Sequence, residues 1–225
     1  NRLTQVMDGP TGTPIETYAF DATGNRTSLT NAGITTAYTY GPDSHRLDKV
    51  GNVARNYDAA GNTTKIGGNA RQFVYDNSGR MTQVKSGGVI TRQYAYNAKG
   101  EQTRAYLDAD NAYFAYDEAG HLLGEYGGDG SPKQQLLWFG DLPVGVLQGS
   151  GASQQLHYIE PDHLGTPRAI IDGTRNVAIW EWKLAGEAFG ARPRSSATPE
   201  ADASSRMLEI RRVRRAGSNP SAVEY

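Results

Sequence analysis

Cysteine is absent from the 225-residue chain, which excludes disulfide bonds, thiolate metal sites and a cysteine nucleophile. Long hydrophobic runs are also missing, because no apolar stretch approaches the roughly 18 residues of a transmembrane helix, and we expect no membrane span. Neither sign of charge is in excess, since 23 Lys and Arg stand against 24 Asp and Glu. A near-neutral chain has no overall field to hold nucleic acid, so no nucleic-acid partner is expected.

The common motifs of catalysis and of metal or cofactor binding are missing as well. The sequence contains no GxSxG elbow, P-loop or GxGxxG, and its four histidines show no HxH or HExxH spacing for zinc. Asp162 and His163 are adjacent, but the sequence offers no third partner for acid–base work. The acidic turns lack the alternating ligands of an EF-hand. We therefore predict no catalytic residue, no metal ligand and no cofactor.

Glycine and tyrosine are abundant. Glycine accounts for 27 of the 225 residues, compared with roughly 7% in average proteins. Tyrosine, with 13 residues, outnumbers phenylalanine, with 5. This composition favours strands and tight turns over a helical bundle.

One short unit recurs along the first 121 residues: an aromatic residue, usually Asp, two variable residues, Gly, and a polar residue. The aromatic positions are 20, 40, 57, 75, 96 and 116, spaced by 20, 17, 18, 21 and 20 residues. The copy that begins at Tyr40 is degenerate and carries one extra residue. The repeat motif consists of Phe20, Asp21, Gly24, Tyr57, Asp58, Gly61, Tyr75, Asp76, Gly79, Tyr96, Gly100, Tyr116, Asp117 and Gly120.

Each unit predicts a β-hairpin. Tyr94 and Tyr96 lie two residues apart and therefore share one face of a strand. The Asp side chain can accept hydrogen bonds from backbone amides ahead of it, and Gly can take a positive φ, so both favour a turn. Residues 80–84 alternate polar and apolar as a return strand. The side-chain pattern therefore predicts that the repeat aromatics pack against neighbouring hairpins, with sugar stacking as the alternative.

These residues resemble the RHS-repeat, or YD-repeat, family, whose unit is Tyr-Asp with Gly four places after the aromatic. The segment 158–168 resembles the start of the RHS repeat-associated core region. Residues 1–121 are thus interpreted as hairpin repeats and 122–190 as the start of that core. The resemblance implies an all-β fold in which repeated antiparallel β-hairpins form part of a spiralling shell. The core motif consists of Tyr158, Asp162, Leu164, Gly165, Thr166, Pro167 and Arg168.

The resemblance also implies a function. In bacterial members of the family the shell encloses a C-terminal toxin, so this chain is expected to be a non-catalytic shell fragment, secreted or at the bacterial cell surface. The implied partners are the remainder of its own shell, an enclosed toxin domain, and secretion-system or toxin-complex proteins. Two alternatives stay open: a cell-surface module that binds carbohydrate or a partner cell, and a truncated remnant without present function. The chain contains no Asp-Pro dipeptide, so the self-cleavage of many family members is not carried over.

Residues 191–225 differ in composition from the rest of the chain. They hold seven Arg and no Lys against four acidic residues, and Pro, Ser and Ala dominate residues 193–205. The four residues 217–220 can be encoded by the T-arm of a tRNA gene, which is compatible with an out-of-frame segment. We predict a disordered or out-of-frame tail that stays outside the β-fold. A toxin within these 35 residues is disfavoured because so short a segment can hardly build a core.

Overall fold

The computed structural model describes residues 2–182 and 194–195. In these residues nineteen strands form one sheet, together with a turn of 3₁₀ helix at Gly151–Ser153. The strands are β1 Gln5–Met7, β2 Pro14–Phe20, β3 Arg26–Asn31, β4 Ile34–Tyr40, β5 Leu47–Val50, β6 Val53–Tyr57, β7 Thr63–Ile66, β8 Arg71–Tyr75, β9 Met81–Ser86, β10 Val89–Tyr96, β11 Gln102–Leu107, β12 Asp110–Tyr116, β13 Leu122–Gly127, β14 Pro132–Phe139, β15 Leu142–Gln148, β16 Gln155–Pro161, β17 Pro167–Asp172, β18 Val177–Glu181 and β19 Arg194–Ser195.

The sheet is a continuous antiparallel meander. Every strand from β1 to β18 pairs with the strand that follows it in the sequence. The connections from β1 to β18 are therefore local hairpin turns, and no crossover interrupts the described part of the sheet. The prediction of an all-β fold of repeated antiparallel hairpins is confirmed.

The C-terminal tail departs from its prediction at two residues. Arg194 pairs with Glu181 and Ser195 with Trp180, so β19 adds a short strand to β18. The expectation that residues 191–225 stay outside the β-fold is therefore wrong at Arg194 and Ser195, because the backbone of an edge strand offers hydrogen bonds to any extended segment beside it. The rest of the predicted tail lies outside the described residues.

One face of the sheet carries the hydrophobic core. The buried side chains alternate along strands such as β14 and β16, and cross-strand partners such as Leu136 and Val146, or Ile159 and Ile170, fall on the same face. Ala105 and Ala112 are a directly paired couple with no exposed surface. The core cluster contains Ala105, Ala112, Phe114, Leu122, Leu136, Val146, Ile159, Ile170, Ile179, Trp180 and Trp182.

The opposite face, which we call the outward face, keeps large apolar groups in solvent. Leu137 and Tyr158 both pair with Gly145 of the strand between them, and they are 40% and 53% exposed. Leu156, on the same face, is 42% exposed. Contiguous apolar surface of this kind is typical of regions that contact further protein.

The turns at the two ends of the hairpins have different designs. At one end, some of the turns are only two residues long, and in two of these both central residues take a positive φ: Ala32 and Gly33 with 49° and 77°, and Gly87 and Gly88 with 59° and 87°. This geometry matches the twist of the flanking strands. The repeat motif lies at the other end, where the longer Asp/Gly turns are found.

Candidate functional site

The Asp/Gly turns share one backbone geometry. In the first copy the amide of Asp21 donates to the carbonyl of Asn25 at 2.9 Å, and the amide of Gly24 donates back to the carbonyl of Asp21 at 3.2 Å. The same two bonds recur at Asp58, Asp76, Asn97 and Asp117. The Gly of each copy has a positive φ, between 74° and 102°. The structure thus places all five motif glycines, Gly24, Gly61, Gly79, Gly100 and Gly120, in equivalent turns.

The side chain at the Asp position reinforces each turn. The Asp21 carboxylate accepts hydrogen bonds from the amides of Thr23, Gly24 and Asn25 at 2.8–3.0 Å. Partial desolvation acts to raise the pKa of Asp21, but the hydrogen bonds from Thr23, Asn25 and Gly24 outweigh it and lower the pKa to about 2. At Asp58 the hydrogen bond from the Asn62 side chain is the main cause of a lowered pKa.

The core motif contains a further copy of this turn. The amide of Asp162 donates to the carbonyl of Thr166 at 2.8 Å, and the amide of Gly165, with φ 72°, donates to the carbonyl of Asp162 at 2.9 Å. The Asp162 carboxylate accepts from the amide of Thr166 and pairs with Arg168. In the sequence this segment stands apart from the repeats because Pro161 occupies the aromatic position. The signal was present, since Asp-x-x-Gly-polar recurs at 162–166.

The remaining core-motif residues frame that turn. Pro167 begins β17, and the guanidinium of Arg168 lies 4.9 Å from the ring centre of Trp182. Leu164, at the tip of the turn, is 74% exposed. Tyr158 lies on the outward face of β16 and does not join the turn. The hydrogen bonds of the turn and the ion pair with Arg168 thus occupy the Asp162 carboxylate, which stabilises the turn beside His163.

The repeat aromatics lie at shifts in strand register. Between Ala19 and Phe20 the pairing moves from Ser28 to Arg26, so one residue of the return strand is extra. Such a bulge bends and twists the strand locally. At the repeat-motif end of the described hairpins the same shift marks eight positions, and the last two lie beyond the repeats found from sequence: Phe20, Tyr40, Tyr57, Tyr75, Tyr96, Tyr116, Trp138 and Pro161.

The aromatics link consecutive hairpins through a ladder of hydrogen bonds. The hydroxyl of Tyr96 donates to the carbonyl of Met81 at 2.7 Å, and Met81 is the residue that pairs with Tyr75, the preceding aromatic. Equivalent bonds of 2.8–2.9 Å join Tyr40 to Arg26, Tyr57 to Leu47, Tyr75 to Thr63 and Tyr116 to Gln102. We call these aromatic residues, together with Trp138, the aromatic ladder.

Trp138 continues the ladder past the last recognised repeat. Its indole Nε1–H donates to the carbonyl of Leu122 at 2.9 Å, and Leu122 pairs with Tyr116. This member was not predicted from the sequence, because the motif behind it is shortened to Gly140-Asp141. The spacing of 22 residues from Tyr116 was the available signal.

Burial of the ladder affects its acid–base properties. Desolvation raises the pKa of both Tyr75 and Tyr96 to about 12, and burial also raises the pKa of Tyr116. The hydroxyls therefore remain protonated donors across the physiological range. Each of these hydroxyls bonds its hairpin to a carbonyl of the preceding one.

Basic side chains form a second set of contacts between turns. Arg2 donates to the carbonyl of Asp21 at 3.1 Å, Arg80 to the carbonyl of Asn97 at 3.0 Å, and Lys99 to the carbonyl of Glu118 at 3.1 Å. The Arg2 guanidinium also lies 5.8 Å from the ring centre of Phe20, which has no hydroxyl to donate. The sequence alone did not reveal these bridges, because they join residues 17 to 19 positions apart.

Substituting alanine for Gly79 tests the turn geometry in isolation. A Cβ at Gly79 meets nothing within 4 Å, so the cost is the positive φ of 74°, about 1–2 kcal/mol. The melting temperature should fall by about 2–8 °C. The matched control is Gly9→Ala, which also adds a Cβ in open space, outside the positive-φ region. Equal melting temperatures for the two variants would contradict the assigned role of Gly79.

The turn carboxylates should also give the protein an acid-sensitive component of stability. The folded-state pKa of Asp21 lies below its ordinary value of 3.8. Its contribution is therefore complete above about pH 4 and lost as the pH falls toward about 2. We expect an NMR titration of the Asp21 carboxyl to give a midpoint near 2. Asp21→Asn, which copies the natural Asn97, should reduce the loss of stability between pH 5 and pH 2.5, and a midpoint near 3.8 would be inconsistent with this account.

Two features are absent from the described part of the chain. No cluster of three or more His, Cys, Asp or Glu side chains suited to a metal ion occurs there. None of the helical structure in those residues is long and apolar enough to cross a membrane.

Comparison with known proteins identifies the family. A family model described as the teneurin YD-shell matches residues 1–188. The chain belongs to the teneurin YD-shell family. The match spans both the six repeats and the region after residue 121, as do the turns and the ladder. This YD-shell chain is therefore a fragment of an RHS/YD-repeat shell.

A solved structure shows the same fold. The Photorhabdus luminescens Tc holotoxin pore is similar with a TM-score of 0.52 at 16% identity, over 81% of this chain and 10% of that one. A TcdB2–TccC3 crystal structure is also 16% identical, with a TM-score of 0.48 and the same coverage. The YD-shell chain thus spans about a tenth of the length of these solved relatives. No curated protein matches it.

Proposed function

We propose that the chain is a non-catalytic section of the wall of a bacterial shell that encloses a C-terminal toxin and helps to deliver it. The observation that carries the proposal is the unbroken run of ladder bonds from Tyr40 in β4 to Trp138 in β14, together with the equivalent Asp/Gly turns that recur between β2 and β17. Each hairpin buries its apolar face only beside its neighbours, which suits an extended wall. The polar groups of the repeat motif make hydrogen bonds within the turns of this wall.

The proposed partners are the remainder of the same shell, the enclosed toxin and toxin-complex or secretion-system proteins, with a secreted or cell-surface location. The exposed apolar groups of the outward face, Leu137, Leu156 and Tyr158, support contact with further protein surface. A solved neighbour is described as a Tc holotoxin pore, which supports assembly with toxin-complex components.

Carbohydrate binding is the second candidate function. Tyr158 and Tyr113 are 53% and 41% exposed, and exposed rings can stack on sugars. The ladder aromatics are less available for sugar binding, because their hydroxyls already donate to main-chain carbonyls.

Protease protection tests the enclosing function. The natural polypeptide that contains this chain is digested while folded and again after denaturation. We expect a segment of that polypeptide to survive digestion only while the shell is folded. Digestion of every segment outside the wall at the rate of a free peptide would contradict enclosure. On a glycan array the same protein should show no binding, and binding abolished by Tyr158→Ala would favour the surface module.

A growth assay tests the tail. Expression of residues 185–225 inside a bacterial cell should leave growth unchanged, because we assign the function to the wall. Growth arrest that disappears when Arg211, Arg212, Arg214 and Arg215 become Ala would make the tail the functional part.

A further inference from the structure

His121 lies between two carboxylates that belong to successive turns. Its Nδ1 is 2.8 Å from Asp117 Oδ2, within the turn after β12, and its Nε2 is 2.9 Å from Asp141 Oδ1, in the turn after β14. The imidazole stacks on Trp138 with ring centres 4.6 Å apart. Its side chain is only 15% exposed. The contact therefore spans the junction between the last recognised repeat and the core region.

This geometry requires a particular protonation state. A carboxylate only accepts hydrogen bonds, and a neutral imidazole has a single N–H to donate. Both contacts are satisfied together only when the two nitrogens are protonated. Loss of one proton leaves a lone pair facing a carboxylate oxygen, which repels it.

We propose that His121 is a proton-dependent latch, which ties the turn after β12 to the turn after β14 when protonated and releases Asp141 when it loses the proton. Asp141 is the partner released because its side chain is 93% exposed. Asp117 also accepts from the His121 amide at 2.8 Å, so that link is held by the backbone. The latch needs only the observed fold and is independent of the proposed toxin enclosure.

The charges around the imidazole favour its protonated, latched state. Besides Asp117 and Asp141, the turn before it brings Glu101, whose Oε1 would lie 3.3 Å from a Cβ at Gly120, and Lys99, which donates to the Glu118 carbonyl. The hydrogen bond to Asp117 is the main cause of a raised His121 pKa, opposed by burial and aided by Asp141. A raised folded-state pKa means that the latch is complete below the ordinary histidine value and is lost as the pH rises through the folded value.

The natural turns supply a matched variant. Asn occupies the position of His121 at Asn62, where its Nδ2 donates to Asp58 at 2.9 Å. His121→Asn should therefore keep the contact within the turn and lose the contact to Asp141. Asp141→Asn removes the exposed carboxylate and leaves the turn intact.

Histidine NMR titration and amide hydrogen exchange on the full chain test the latch. We expect Asp141→Asn to lower the midpoint of His121, with His45, which faces the amide oxygen of Asn25, as the unaffected control. Amide exchange at residues 139–142, corrected for its intrinsic pH dependence, should become about two- to fivefold faster as His121 loses its proton. This is the size of effect expected for an exposed ion pair. In His121→Asn the exchange rate should show no such step. An unchanged midpoint in Asp141→Asn, or a step that persists in His121→Asn, would overturn the proposal.

Discussion

Replacement of Tyr75 by alanine should lower the free energy of unfolding by about 3 kcal/mol, the lower end of the range for removal of a buried aromatic ring. Tyr75 is partly buried, and its hydroxyl fixes β8 to the carbonyl of Thr63. The variant loses both the packed ring and the bond between hairpins. The melting temperature should fall by about 6–12 °C.

Two companion variants separate the contributions at this position. Tyr75→Phe keeps the ring and removes only the donor, so we expect a loss of about 1 kcal/mol. Tyr113→Ala removes the same side chain from a site that is 41% exposed and outside the ladder, and should cost clearly less than Tyr75→Ala. If Tyr75→Ala left stability intact but abolished binding to a glycan array, the carbohydrate-binding alternative would be favoured.

Replacement of Trp138 by alanine has the second large expected effect, a loss of about 3–5 kcal/mol. The indole packs against the core cluster, stacks on His121 and donates to Leu122. Thermal denaturation followed by circular dichroism measures the change. Because the ring belongs to the ladder, its loss should loosen β13 and β14 first, which hydrogen exchange can localise.

A conservative variant and an exposed control define this prediction further. Trp138→Phe retains a ring but leaves the Leu122 carbonyl without its indole donor, at a cost of about 1–3 kcal/mol. Phe139→Ala, next in sequence but 77% exposed, should change stability little. A larger loss from Phe139→Ala than from Trp138→Ala would show that the ladder does not extend into this region.

The repeats were predictable because the turn chemistry is local. Asp and Gly three residues apart are enough to specify the two backbone bonds of the turn, and the aromatic spacing reveals the hairpin period. The prediction stopped at residue 121 because it required an aromatic at the head of each unit. At Pro161 the bulge and the turn persist without that side chain, since the backbone bonds need only Asp162 and Gly165.

Contacts between hairpins could not be predicted from the sequence. The carbonyl that accepts from Tyr96 belongs to Met81, and any residue type offers the same carbonyl. The buried pair of Glu125 and Gln134 is likewise set by strand register, because a shift of one residue would turn both to the other face. Until that register is known, a polar residue in a strand is predicted to face solvent.

Native-state hydrogen exchange at the turn amides tests the central claim most directly, namely that one hairpin unit repeats from β2 to β17 and forms a continuous wall. In this account the amides of Asp76 and Arg80 in a recognised repeat, and those of Asp162 and Thr166 in the core region, make the same bonds at 2.8–2.9 Å. We predict that the two pairs are protected to a similar extent. Exchange of Asp162 and Thr166 at the rate of an unstructured peptide, while Asp76 and Arg80 stay protected, would contradict it.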